Sequence, residues 1–277
     1  MKKVLIRVSF ILAVLITLSV LLYPTVSDYV NSLSQSRVVA QYFDDVAGME
    51  DAAVREMLET ARKYNAELAG KRDRFAYTDE DTAVYRLMLN TGRGVMGILS
   101  VDKIGVKLPI YHGTDEGVLQ VGLGHMQGSS LPVGGAGTHC IITGHRGLPS
   151  STLLTNLDRM AEGDLFVLYI MGETLTYQVD NIKTVKPDEV RSLDIDREMD
   201  YCTLVTCTPY GINSHRMLVR GHRVENIGLS DWEAVYAGAK RVDSLITLLI
   251  LLIPLIPVLI IYAIIKCWKI KAQKVRN

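Results

Sequence analysis

Cys207 is the side chain of this protein best suited to nucleophilic chemistry, and the stretch around it, Thr203 to Gly221 (TLVTCTPYGINSHRMLVRG), gives the reason. Thr203, Leu204, Val205 and Thr206 are β-branched or apolar and predict a strand; Pro209, Gly211, Asn213 and Ser214 predict a loop, and Met217, Leu218 and Val219 a second strand. Cys207 then ends one strand and Arg216 begins the next. Thiol chemistry runs through the thiolate, and a fixed cation beside a strand-end cysteine favours that form at neutral pH. Arg216 could supply that charge or donate to an oxyanion. His145 ends another apolar run, Cys140 to Gly144, and precedes Arg146-Gly147, a loop from which an imidazole reaches solvent and a neighbour. The chemistry that uses a thiol, an imidazole and a guanidinium together is acyl transfer.

The remaining residues of these types read as structural. His112, His125, His139 and His222 lack a comparable context, and His215 reads as a strand-edge residue, because neighbours in a strand face opposite sides. Four cysteines (Cys140, Cys202, Cys207 and Cys267) show neither CxxC nor Cys/His spacing for zinc, and they do not form a disulfide framework. Cys202 and Cys207 differ in strand parity, which argues against a bridge between them. Cys140 lies in an apolar run and reads as a buried small hydrophobe. Cys267 follows an apolar segment and is either inert or a lipidation site, inert being favoured.

These groups have to be positioned by a chain of 277 residues with 48% hydrophobic content and no net charge. That is enough for one substantial domain with extra segments, and the charge balance gives no argument for nucleic acid. Tyr42, Val46, Met49, Ala53, Met57, Ala61, Tyr64 and Leu68 recur at spacings of three and four and predict one amphipathic helix closed by Gly70. A polar loop over residues 71–81 follows, then a second short helix around Tyr85, Leu87 and Met88. Beyond it, short apolar or alternating runs at 97–101, 106–110, 139–143, 165–170, 174–185, 201–206 and 216–220 are punctuated by Gly, Pro, Asn and Asp. That pattern predicts a mainly β sandwich or closed barrel.

Both ends of the chain are apolar. Val4 to Tyr23 follows Lys2 and Lys3, and it reads either as a cleaved signal peptide or as an uncleaved anchor. The lack of a small-residue cleavage site before Tyr23-Pro24 favours the anchor. Ser244 to Ile265 is free of charge and long enough to cross a bilayer, with Pro254 and Pro257 as kinks. Lys2, Lys3 and Arg7 before the first span, and Lys266, Lys269, Lys271, Lys274 and Arg276 after the second, place both termini in the cytoplasm and the intervening domain outside. The expected organisation is an anchor at 1–23, a helical region at 24–91, a β-barrel at 92–226, a linker at 227–243, a membrane helix at 244–265 and a basic cytoplasmic tail at 266–277.

The run TLVTC, the Arg nine positions after its cysteine, and ITGHRG around His145 resemble the signature of sortases. LPIYHGT from Leu108, GSSLPVGG from Gly128, CTPY from Cys207 and RGHR from Arg220 resemble the pilin-polymerising class C in particular, over roughly residues 36 to 226. The resemblance implies a closed eight-stranded barrel with N-terminal helices and two flanking transmembrane helices. It also implies a thioester mechanism needing no metal or organic cofactor, with Cys207, His145 and Arg216 as the catalytic residues. The substrates would be LPxTG-bearing pilins or surface proteins, and the acceptor a pilin lysine or, in the housekeeping type, a cell-wall precursor. A hydrolytic cysteine protease would use the same nucleophile, and a membrane-tethered scaffold with a decayed site would use none. In class C the loop after the first helices is a lid carrying Asp-Pro-aromatic, whose Asp meets the active-site Arg while the aromatic covers the cysteine. Asp73 and Phe75 are the matching residues, with Arg74 standing where the family has a stiffening proline. The same segment also reads as an ordinary charged surface loop.

Overall fold

The computed structural model describes residues 2–189 and 191–226. The expected linker, second membrane helix and basic tail, together with Cys267, lie outside these residues. Within them the short apolar runs become eight strands: β1 (Val95–Val101), β2 (Val106–His112), β3 (Leu123–His125), β4 (Thr138–Thr143), β5 (Leu165–Ile170), β6 (Glu173–Val185), β7 (Asp200–Thr208) and β8 (His215–Val224). They close into a barrel in the order β1-β2-β3-β4-β7-β8-β6-β5. Closure leaves no unpaired edge, so every strand has a partner on each side. β3 is the strand that the sequence pattern misses. Leu123-Gly124-His125 is too short for any period to show, and it is recruited by parallel pairing to β2 and antiparallel pairing to β4.

Alternation along the strands sorts side chains into an interior and an outer layer. Met96, Leu99, Cys140, Ile142, Phe166, Leu168, Cys202, Leu204 and Val219 fill the barrel. The outer faces of β1 and β5 are covered too, by Val39, Tyr42 and Phe43 against Ile98, Val167 and Tyr169. That double coverage explains why Val95–Val101 is buried at every position and reads as an unbroken apolar run. Gly97 permits the closure of β1 on β5, since a Cβ there would collide with the Ile170 side chain and the Tyr169 carbonyl.

The helices differ from the single amphipathic helix expected from Tyr42 to Leu68. α1 (Lys2–Ala47) and α2 (Asp51–Ala69) are separated at Gly48-Met49-Glu50. Glycine is a poor helix former, and the two halves of the apolar stripe serve different surfaces. Tyr42 and Phe43 cover β1 and β5, whereas Leu58 and Ala61 join the barrel core, and one straight rod cannot follow both. α1 also continues through Pro24, which cannot donate a hydrogen bond to the carbonyl of Val20. The Tyr42 hydroxyl pins the helix by donating to the Met96 carbonyl (3.1 Å) and accepting from the Met171 amide (2.8 Å). Gly70 caps α2 as expected. α3 (Asp79–Leu87) begins earlier than expected, because Thr78 and Asp81 form a reciprocal capping box.

A third apolar cluster lies on the outer face of β4, β7 and β8, where Ile141, Val205 and Leu218 meet Leu193 from the loop between β6 and β7. His139 on β4 fastens that loop. Its Nδ1 donates to the Asp194 carbonyl (2.9 Å), so its Nε2 accepts from the Thr203 hydroxyl (2.7 Å), which requires the neutral ring. Burial lowers the pKa of His139 to about 4. The unfolded chain therefore binds a proton below about pH 6.5 that the folded chain refuses until about pH 4, and stability is lost as the pH falls through that window. Between pH 7 and pH 5 the loss is on the order of 2 kcal/mol. Denaturant unfolding at the two pH values is expected to show this slope, and His139→Gln, which keeps a donor and an acceptor without titrating, is expected to flatten it. An equal slope in both proteins would show that another group governs the acid sensitivity.

Candidate active site

Three strand ends meet at one end of the barrel. β7 and β8 pair antiparallel, with Thr203 opposite Arg220, Val205 opposite Leu218 and Cys207 opposite Arg216. Cys207 shares its face with Val205, on the outside of the barrel, while Cys202, Leu204 and Thr206 point inward. Cys202 and Cys207 are separated as their strand parity predicts: one thiol is buried inside the barrel and the other is half-buried outside. Cys140 is buried as expected, directly opposite Cys202.

The imidazole arrives from β4, which pairs in parallel with β7 and ends with Thr143 opposite Val205. Two further bonds extend that register. The Gly144 amide donates to the Val205 carbonyl (3.0 Å), and the Thr206 hydroxyl donates to the Gly144 carbonyl (2.8 Å). His145 is the next residue, so it leaves the sheet beside the Thr206-Cys207 step, one strand spacing of about 4.8 Å from it. The register thus brings together the ends that carry His145, Cys207 and Arg216.

The loops after these strands are locked to one another. Gly147 has a positive φ of 78°, and a Cβ there would lie 2.9 Å from the ring of Tyr210, so only glycine lets the aromatic residue after Cys207 close on the loop after His145. Arg146 is nearly covered and bonds Asp158 at 2.5 Å. The Arg216 guanidinium donates to the carbonyls of Asn213 and His215, each at 3.1 Å, which fixes its base while it faces Cys207 across the strand pair.

Sequence reasoning missed Glu116. It opens the four-residue helix α4 (Glu116–Leu119) and sets its Oε2 3.4 Å from His145 Nε2. That is ion-pair distance, although the approach is not aligned as a hydrogen bond and Nε2 is buried without one. The Glu116 carboxyl is held below its ordinary pKa, first by the Gln120 amide that donates to it and second by His145. No motif marks this residue in the sequence.

The other histidines are structural. His125 is buried and bonds Tyr85, Ser129 and the Ser130 carbonyl, and His112 spans the carbonyls of Met88 (2.7 Å) and Gly94 (3.2 Å). His222 sits 3.6 Å from Asp180, and His215 opens β8 against the Ser214 hydroxyl.

The segment after α2 lies over the outer face that carries Cys207. Phe75 is half-buried and packs on the cluster of Ile141, Val205 and Leu218, two pairs further down the strands from Cys207 and Arg216. The Asp73 side chain is exposed, and Arg216 bonds backbone carbonyls rather than this carboxylate. Arg74 holds the segment in its place. Its guanidinium donates to the Leu193 carbonyl (2.5 Å) and the Gly128 carbonyl (3.4 Å), and it lies 3.7 Å from the Asp194 carboxylate. It also caps the Phe75 ring at 4.6 Å.

Comparison with known proteins agrees with this geometry. A family model described as the sortase domain matches residues 99–224. Sortase D of Bacillus subtilis (strain 168) is 30% identical over 131 residues, covering 46% of this chain and 63% of that protein. Sortase A of Bacillus anthracis is 27% identical over 130 residues, covering 47% and 60%. The chain thus spans about three-fifths of the length of these curated relatives. Among solved structures, sortase C1 of Streptococcus agalactiae is 48% identical with a TM-score of 0.66, and the match covers 69% of this chain and 100% of that one. Sortase C of Streptococcus pneumoniae is 41% identical with a TM-score of 0.63, covering 69% and 97%. A lid mutant of sortase A from Corynebacterium diphtheriae is 44% identical with a TM-score of 0.61, covering 65% and 97%. With 48% identity to a solved sortase C1 in a match that covers the whole of that structure, and with the barrel order and strand ends described above, the chain belongs to the sortase family, in its class C.

Proposed function

We propose that the chain is a cysteine transpeptidase that cleaves an LPxTG-like sorting signal between Thr and Gly and joins the freed acyl group to a pilin lysine. The observation that carries the reading is the register: Cys207 opposite Arg216, with His145 leaving the adjacent parallel strand at the same end. The Cys207 thiolate attacks the threonine carbonyl, and the C–N bond of the tetrahedral intermediate breaks as His145 gives its proton to the departing glycine amine. This leaves a thioester on Cys207. His145 then takes a proton from the incoming lysine, whose amine attacks the thioester, releases the thiolate and forms an isopeptide bond. Arg216 bears the oxyanion in both steps, a role that suits a planar and permanently charged fork. The pneumococcal sortase C structure is described in terms of pilin substrate specificity, which supports the same substrate class here.

The location in this reading is supported by α1, whose stretch from Ile6 is long and apolar enough to cross a membrane. In this reading residues 6–23 are an uncleaved anchor, and the barrel stands outside the cell. The segment holding Asp73, Arg74 and Phe75 serves as the lid, latched by Arg74 rather than by Asp73.

The test is to incubate the protein with an LPxTG peptide in the presence and absence of a lysine-bearing acceptor and to identify the products by mass spectrometry. An isopeptide-linked product is expected with the acceptor; only free acid in excess acceptor would support a hydrolytic protease instead. Cys207→Ala is expected to give no product. Arg216→Lys is expected to lose about 10²-fold in kcat/KM, the scale for an oxyanion donor, and an unchanged rate would remove Arg216 from that role. For the lid, Arg74→Ala removes bonds worth about 1–3 kcal/mol and is expected to speed modification of Cys207 by a thiol reagent about tenfold. An unchanged rate would mean that the segment does not cover the thiol.

A further inference from the structure

The direction of α1 relative to the barrel has a consequence for where the site faces. β1, β4, β6 and β7 all run the same way, as their pairings require, and they end where His145 and Cys207 emerge. The polar contacts of α1 run from that end to the other. Asp28 accepts from the Thr152 amide (2.5 Å) and hydroxyl (2.9 Å), Asn31 donates to the Ser150 carbonyl (2.7 Å), and Gln35 donates to the Ser151 hydroxyl (3.2 Å). All three partners lie in the loop that follows His145. Further along, Tyr42 bonds Met171 at the turn between β5 and β6, and Asp45 pairs with Arg93 ahead of β1, both at the opposite end. The apolar half of α1 therefore projects past the end of the barrel that holds the site.

No linker intervenes, because the helix is continuous from Lys2 to Ala47. From Pro24 to Asp28 it rises only about 6 Å at 1.5 Å per residue. At the same end, the loop between β7 and β8 presents Tyr210 and Ile212, which are 61% and 72% exposed, and Tyr23 on the helix is 59% exposed. A tyrosine beside an exposed aliphatic side chain suits the boundary between headgroups and acyl chains.

We infer that the active-site end of the barrel faces the bilayer, with Tyr210 and Ile212 at the level of the lipid headgroups. The inference deepens the proposed function and rests on its reading of residues 6–23 as membrane-embedded. It makes the reaction one that occurs at the membrane surface, on chains held in the same leaflet, with the turn at Glu173 directed away from it.

The test uses the full chain in nanodiscs of phosphatidylcholine and phosphatidylglycerol, with Cys207→Ala and Cys267→Ser to leave only the two cysteines buried in the barrel. A nitroxide is placed at Ile212→Cys, at Tyr210→Cys or at Glu173→Cys, and its relaxation by a nickel chelate carried on lipid headgroups is measured. Relaxation several-fold stronger at 212 and 210 than at 173 is expected. Equal values at the three sites, or the strongest at 173, would overturn the orientation. A chain that fails to float with lipid on a density gradient would instead overturn the anchor reading itself, and the orientation with it.

Discussion

The parallel pairing of β4 with β7 is the constraint on which the site depends. Parallel neighbours cannot be joined by a tight turn, so between Thr143 and Asp200 the chain builds β5 and β6 before it returns to lie beside β4. Only that return brings the strand end that precedes His145 beside the strand end that carries Cys207, residues 62 positions apart. Side chains enforce the register. Cys140, Ile142, Cys202 and Leu204 fill the barrel interior, and a slip of one residue would send them outward and turn Cys207 into the core. The packing that stabilises the barrel thus also positions the chemistry, and β8 completes it by bringing Arg216 opposite Cys207.

The outer face of the same three strands is covered rather than open. Ile141, Val205 and Leu218 cluster with Leu193, which lies on a loop fastened by His139. Phe75 packs against that cluster. Arg74 in place of proline gives up a fixed backbone angle, but it gains the Leu193 and Gly128 carbonyls and the Asp194 carboxylate as partners. Asp73, which the family pattern would pair with Arg216, is left exposed. The covering segment is held by the residue that departs from the pattern.

Much of the fold was legible because apolar runs and their punctuation are local. Seven of the eight strands were read from composition and alternation, and Leu165–Ile170 to the residue. What failed was decided by distant partners. Leu123-Gly124-His125 is a strand only because β2 and β4 flank it. The break at Gly48 exists because one apolar stripe must serve two clusters, and Glu116 reaches His145 from a turn with no motif of its own. Thr78 and Asp81, by contrast, carried a readable capping box that corrects the start of α3. For the site, strand parity separated Cys202 from Cys207 correctly, whereas the meeting of three strand ends rested on family resemblance until the register supplied it.

Acyl transfer through one sulfur is the claim most open to direct observation. Acid-quenching the protein shortly after it is mixed with an LPxTG peptide, then mapping the digest by mass spectrometry, should show the acyl fragment ending at threonine on the peptide that contains Cys207, and hydroxylamine should remove it. Transpeptidation product formed with no such adduct, or with the adduct on another residue, would contradict the account.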